Sequence, residues 1–389
     1  MRTSVQSTST QGRAHSAHVS ARDTFSPASN APSRPFPSPV LKTFFLVALI
    51  SLSGCSQPAG KRPDPRLLVT SAAPPNTPAP ISNVAMSTLR ERAIQIVEEV
   101  SQDSDASLRS NAVEAATYAP GRLQDVIQRG LGDKNAGVRG VTATAIGRSR
   151  IKGYTPQLQA LLTDAEAITR VSAMFALLRT GVEIDRTPFA AYLLENPSPW
   201  VKRQVVDVLG LLGDPSAKGL LRAAAKERLP EFSPSQTRLL QLQIAQALVR
   251  LGDFTQRPVI RAALYPAQPD ELEAAVLAIQ IIGETQDKEA AAQLVNIAQY
   301  KERSGQKYPP EVRLAVASSL AQLGMPQGSF VANEYVNEPS PTVRAQAAFV
   351  YGVTKGAGNG ARLVAMMEAP EPLVRISAAA AVLKSLAKQ

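Results

Sequence analysis

The feature that most constrains the fold is a segment that keeps returning. Glu338-Pro-Ser-Pro-Thr-Val-Arg-Ala-Gln-Ala-Ala-Phe-Val-Tyr-Gly352 has counterparts in Asp133-Lys-Asn-Ala-Gly-Val-Arg139 ending at Gly147, Asn196-Pro-Ser-Pro-Trp-Val-Lys-Arg203 ending at Gly213, and Pro310-Glu-Val-Arg313 ending at Gly324. Its aliphatic-then-basic pair falls at Leu108-Arg109, Val138-Arg139, Thr169-Arg170, Val201-Lys202, Thr237-Arg238, Val312-Arg313, Val343-Arg344 and Val374-Arg375. From Arg109 the steps are 30, 31, 32, 36, 75, 31 and 31 residues. Leu272-Glu273 fills the long step with the charge reversed, so the chain carries nine units. A chain of 389 residues exceeds what one hydrophobic core can serve, and a period near 31 predicts an array of stacked units instead.

Within a unit the apolar spacing is helical. Leu89, Ala93, Ile96, Val97 and Val100 share one face, opposite Arg90, Glu91, Arg92, Glu98 and Glu99. A short first helix, such as Gln157 to Leu162 or Phe189 to Leu194, precedes a turn and a second helix that begins at the repeated pair. Proline at 199, 234, 269, 310, 341 and 372 suits the first turn of those second helices, where its missing N–H costs nothing. Glycine at 147, 181, 213, 252, 283, 324 and 352 is expected to close them as left-handed caps. Between pair and cap the helices are rich in Ala, which lets neighbours approach closely. The expectation is an all-α solenoid, a right-handed superhelix of about nine helix pairs over residues 86–389 with an elongated body.

The acid or Asn in the turn, the Val-Arg pair and the Ala-rich helix ending in Leu-Gly resemble the short, HEAT-like form of the HEAT-repeat family. The resemblance covers roughly residues 86–387, and it lies in the recurrence of the pattern. It implies a binding surface formed by stacked helix pairs. Phycobilin lyases resemble this short repeat and some HEAT-like proteins act on DNA bases, so the family also implies an enzymatic alternative.

Ahead of the array the composition changes. Residues 1–40 are rich in Ser and Pro without apolar period and read as disordered. The apolar run Phe44 to Ile50, behind Lys42, is too short to span a bilayer but suits the core of a signal peptide over residues 41–55. Leu52-Ser53-Gly54-Cys55 resembles the lipobox of bacterial lipoproteins, which implies acylation of Cys55, the single Cys of the chain. Such signals begin close to the apolar run, so initiation near Val40 or Leu41, through a non-ATG codon, is expected beside initiation at Met1. Residues 56–85, with seven prolines, read as a tether reaching at most about 90 Å. The expected place is the cell envelope, lipid-anchored and extracytoplasmic; Ser56 implies outer-membrane sorting in a cell with two membranes.

Acids or Asn stand six or seven residues before the basic positions at Asp103, Asp133, Asp164, Asn196, Glu231, Glu338 and Glu368. They are expected to cap second helices and pair with Arg109, Arg139, Arg170, Lys202, Arg203, Arg238, Arg313, Arg344 and Arg375 in a ladder along one edge. The alternative is a row of Arg presented to an acidic ligand.

Chemistry is sparse. His15 and His18 precede Cys55, so the mature chain would have no His and only an acylated Cys, which leaves no His-based triad and no Cys or His metal site. Ser304-Gly-Gln-Lys307 and Ser385-Leu-Ala-Lys388 match a Ser-x-x-Lys spacing without its companion motifs; Lys355-Gly-Ala-Gly-Asn-Gly360 reads as a loop, and Asp103-Ser-Asp105 as a turn. No metal or cofactor is implied. Residues 1–85 hold 8 basic and 2 acidic residues, leaving 34 and 30 of the totals of 42 and 32 for the array, so the +10 charge does not predict a nucleic-acid partner. Trp200, with Lys202 and Arg203, is the candidate partner-binding cluster; packing of Trp200 between units is the other reading. These readings lead to a lipid-tethered, non-enzymatic scaffold for a protein or peptide partner, with an enzyme or a binder of an anionic envelope polymer as alternatives.

Overall fold

A computed structural model describes residues 83–266, 271–300 and 307–387. The segments expected to be disordered, signal peptide and most of the tether lie outside the described residues, as do Cys55, His15, His18, Pro269, Ser304 and Lys388. The described residues are all helix and connection, without strand.

Among the described residues, eighteen α-helices form nine pairs. The first helices are α1 (Asn83–Val100), α3 (Gln124–Leu131), α5 (Thr155–Ala160), α7 (Pro188–Leu194), α9 (Lys218–Ala225), α11 (Arg257–Ala262), α13 (Ala291–Gln299), α15 (Ser329–Asn333) and α17 (Asn359–Met367). The second helices are α2 (Ala106–Ala116), α4 (Ala136–Ser149), α6 (Ala167–Thr180), α8 (Pro199–Leu212), α10 (Pro234–Arg250), α12 (Leu272–Glu284), α14 (Pro310–Gln322), α16 (Pro341–Val353) and α18 (Pro372–Leu386). None is long and apolar enough to cross a membrane.

Each second helix packs on the next in chain order, and α18 then packs on both α1 and α2. The first unit thus occupies the place of a tenth, and the array closes into a ring. One apolar core crosses this seam, joining Ile96, Val97 and Val113 to Val374, Ala378 and Val382. Arg92 adds two hydrogen bonds of 3.0 Å to Glu368, and Arg375 donates to Glu99 at 2.9 Å. The open, elongated body expected of nine units is therefore corrected: the turn per unit brings the ends together, and the apolar faces of α1 and α18 are buried against each other. The second helices line the inside because they, not the first helices, touch their counterparts closely all the way round.

Small residues make that inner packing possible. A Cβ on Gly147 would lie 3.0 Å from Ala176 Cα and nearer still to the Phe175 ring, and one on Gly283 would lie 2.9 Å from Ser319 Cα. Gly147, Gly283 and Gly352 are consequently not the left-handed caps expected of them; they are points of close approach between second helices. Only Gly181, Gly213, Gly252 and Gly324 of that series take positive φ. Arg150 and Gln286 adopt the left-handed conformation just beyond α4 and α12 instead.

Candidate functional site

The repeated basic residue works at the rim of the ring. Arg109 Nη1 donates to the carbonyls of Asp103 and Ser104, while its Nε and Nη2 grip the Asp133 carboxylate of the next unit, both at 2.7 Å. Arg139 repeats this with the Asp133 and Lys134 carbonyls and the Asp164 carboxylate. A planar guanidinium can do both at once, closing orphan turn carbonyls within its unit and locking the neighbour in register. Arg344 bonds the Glu338 and Pro339 carbonyls and pairs with Glu371 at 2.6 Å. Arg375 carries the pattern across the seam, using the Ala369 and Pro370 carbonyls and Glu99.

The ladder departs from its expected partners in several places. Arg170 finds the Tyr192 hydroxyl at 2.7 Å, because Asn196 supplies no carboxylate. Lys202 reaches Glu227, and Arg313 reaches Glu334 and the Tyr335 hydroxyl. Glu227, Glu334 and Glu371 therefore do what was expected of Glu231, Glu338 and Glu368. Glu231 is exposed, Glu338 offers its backbone, and Glu368 serves the seam. Nor do the turn acids cap helices: Asp105, Asn135, Ser233 and Ser340 do so, and Asp103, Asp133 and Asp164 accept instead from backbone N–H groups two residues on. Arg238 lines a separate cavity with Glu271 and Glu273.

A second set of pairs was not anticipated. Arg186, Arg222 and Arg261 donate to Asp214, Asp253 and Asp287, each acid just beyond a second helix. The Gly213-Asp214 and Gly252-Asp253 dipeptides were the available signal. Asp253 is held below the ordinary carboxylate range by hydrogen bonds from Thr255 and Arg222.

The interior of the ring carries the other concentration of polar groups. Gln204 and Asp207 on α8, Gln243, Gln246 and Arg250 on α10, and Gln280 and Glu284 on α12 recur at three- and four-residue spacing, which puts each set on one helix face. They surround a cavity of about 330 Å³ whose wall also includes Arg148, Trp200 and Arg203. Asp207 bridges Arg148 at 2.5 Å and Arg250 at 2.8 Å; Arg250 continues to Glu284 at 2.7 Å, which also accepts from Gln246. Burial pushes the Asp207 carboxyl up, but Arg148 and Arg250 outweigh it and hold the group below its usual range. At Glu284 burial wins over the same two cations and the carboxyl is raised. The cavity therefore has a charged, hydrogen-bonded floor set in advance of any ligand.

The candidate cluster of Trp200, Lys202 and Arg203 divides between these two regions. Lys202 belongs to the rim, donating to the Leu193 and Leu194 carbonyls as well as to Glu227. Trp200 and Arg203 line the cavity, with the guanidinium 5.3 Å from the indole centroid. Arg203 also donates to Gln243 at 2.6 Å, and burial presses it down to about 10 against the pull of Glu273. Arg203 is thus no rung of the ladder. Trp200 is 44% exposed and lines the cavity together with residues of neighbouring units.

No protein-family model matches the chain, and no curated protein matches it. Among solved structures it is similar to human deoxyhypusine hydroxylase in complex with glycerol, at 17% identity and TM-score 0.32, over 78% of this chain and 99% of that one. It is also similar to an engineered protein at 13% identity and TM-score 0.28, over 78% of this chain and 95% of the other. One expectation is corrected here. The reading of this chain as a non-enzyme rested on its composition and array, and a helical structure it resembles is a hydroxylase, so that exclusion does not stand.

Proposed function

We propose that the protein is a tethered binding module: a lipid on Cys55 holds it at an extracytoplasmic membrane surface, and the interior of the ring receives a segment of a partner protein. Trp200 carries this reading. A large aromatic left 44% exposed, stacked by an Arg and set over a floor of ordered amides and charges, has the character of an interface anchor. Gln204, Gln243, Gln246 and Gln280 around it can donate and accept at once, which suits the backbone and polar side chains of an extended peptide. Palmitate labelling tests the anchor, with uptake expected in wild type and absent in Cys55→Ala. A photoreactive residue at Gln243 tests the site in the native cell: a discrete adduct lost in Trp200→Ala supports it, and an adduct indifferent to Trp200 refutes it.

A second reading is chemistry on a small molecule in the same cavity. Two features support it: the charges of Arg148, Asp207, Arg250 and Glu284 are buried in one chain, and the nearby Glu114 carboxyl is raised by burial to about 7, within reach of proton transfer. Turnover by the purified protein that is abolished in Glu114→Gln would favour it.

A further inference from the structure

Beside the Trp200 cavity lies a second one of about 300 Å³, sharing with it Val141, Ile168 and Gln204. Its wall is formed by α2, α4, α6 and α8, and polar side chains project from each of them. Ser107 and Ser110 of α2, Thr144 of α4 and Ser172 of α6 present hydroxyls to it, and the Gln204 amide donates to Thr144 and Ser172 at 3.0 and 2.9 Å. Glu114 of α2 also lines it. Glu114 is only 7% exposed, yet its Oε2 has no hydrogen-bond partner among the described residues.

That is an unusual thing to leave in a protein interior. A buried carboxyl costs free energy unless it is bonded, and natural interiors seldom keep an orphan oxygen beside empty space without a use for it. The surroundings narrow the use. Hydroxyl and amide oxygens can accept the remaining hydrogens of a cation whose charge faces the carboxylate. An anion is disfavoured, since it would meet the carboxylate with too little positive charge nearby. Arg148, from α4, acts on Glu114 but is bonded to Asp207 on its far side. Tyr118 lies just beyond the end of α2, and Lys384 of α18 lies over the Tyr118 ring, 6.0 Å from its centroid. The wall residues from α6 and α8 are uncharged.

We infer that the Glu114 cavity is a subsite for a primary ammonium group on a flexible stem, the side chain of a lysine presented by the segment that enters the ring. The inference deepens the proposed partner site and rests on it. The amine would bring the counter-charge that Glu114 lacks, with Ser110, Thr144 and Ser172 completing its hydrogen bonds. The carboxyl must give up its proton to accept the ammonium. Burial raises it to about 7, so binding at neutral pH releases part of a proton to solvent.

The test uses the full-length protein and two soluble probes, N-acetyl-lysine amide and its Nζ-acetylated form. Calorimetric titration should show the amine binding and the acetylated probe at least ten-fold weaker. Its affinity should rise about ten-fold from pH 6 to pH 8, as the ionised fraction of a group near 7 rises from about one in eleven to about ten in eleven. Titrations in two buffers of different ionisation enthalpy should show the proton leaving, a readout that needs no variant. Glu114→Gln should lose the preference for the amine and the pH dependence together. Equal binding of the two probes, no binding by either, or affinity that falls as pH rises would overturn the subsite. Should the amine fail while the Trp200-dependent adduct at Gln243 persists, the subsite is lost and the partner site stands; should the adduct be lost while amine binding persists, the partner site falls and the ammonium pocket stands.

Discussion

The rim and the interior of the ring use the same ingredients to opposite ends. At the rim Arg109, Arg139, Arg344 and Arg375 are each matched to an acceptor of the next unit and to turn carbonyls of their own, as Arg109 is to Asp133, Asp103 and Ser104. In the interior the charges form one shared chain, Arg148–Asp207–Arg250–Glu284, and Glu114 beside it is left with an unbonded oxygen. The rim pairs recur from unit to unit, with Arg313 Nε and Glu371 Oε2 left over; the interior chain does not recur. Structure is recurrent here, and the proposed sites lie where the repeat breaks.

The comparison can be broken by mutation. Asp207→Ala should have the largest effect, toward the upper end of about 3–5 kcal/mol, because it strands the Arg148 guanidinium, whose side chain is 7% exposed, and leaves Arg250 with Glu284 alone. Arg109→Ala should fall toward the lower end of that range, since Asp133 keeps the backbone N–H of Asn135. Chemical denaturation measures both. An Asp207→Ala protein as stable as wild type would mean that the interior chain is dispensable.

pH sharpens the contrast, because the depressed carboxylates of the rim and the raised Glu114 respond with opposite sign. Arg109 and Arg139 hold Asp133 and Asp164 below their usual range, and Arg313 with Lys307 brings Glu334 down to about 2. A depressed carboxylate stabilises the fold above its unfolded pKa, and that contribution is lost as pH falls through the folded value. The rim should therefore weaken between about pH 4.5 and pH 2, and Glu334→Gln should lose part of that dependence in thermal melts. Glu114 runs the other way. Its folded state favours the protonated form, so its stabilising contribution declines as pH rises from 4.5 to about 7. Glu114→Gln should gain in melting temperature relative to wild type across that window; a constant difference would remove the argument for a buried, unpaired carboxyl.

The smallest effect belongs to the seam. Glu99→Ala removes a pair in which Glu99 is 57% exposed, and it should cost no more than about 1 kcal/mol, because the shared apolar core of α1 and α18 holds the ends together.

Much of the rim was legible in the sequence. An acid or Asn six or seven residues before most of the basic residues can be read directly, and so can the proline that opens α8, α10, α14, α16 and α18. The partners were harder. A carboxylate reaches across to the neighbouring unit through space, so Glu334 and Glu371 displaced Glu338 and Glu368, which were nearer the expected spacing. Gly147 and Gly283 misled because a glycine near a helix end serves two purposes, and close packing against Phe175 or Ser319 leaves the same mark as a cap. The interior chain was visible in principle as polar stripes on Ala-rich helices, Gln243-Gln246-Arg250 above all. Its meaning depended on closure. Curvature per unit is a small angle set by many contacts, and no residue pattern records whether nine such angles add to a full turn.

Closure is also what a single measurement can decide. With Cys55→Ala, Arg92→Cys and Glu368→Cys in the full-length chain, the two introduced thiols are the only ones present. They replace residues that bond across the seam at 3.0 Å. A short bis-maleimide should link them within one molecule at high yield and low protein concentration, giving the altered gel mobility of a looped chain under denaturing conditions. Reaction of both thiols without that intramolecular link would show an open array, and the interior described here would not exist.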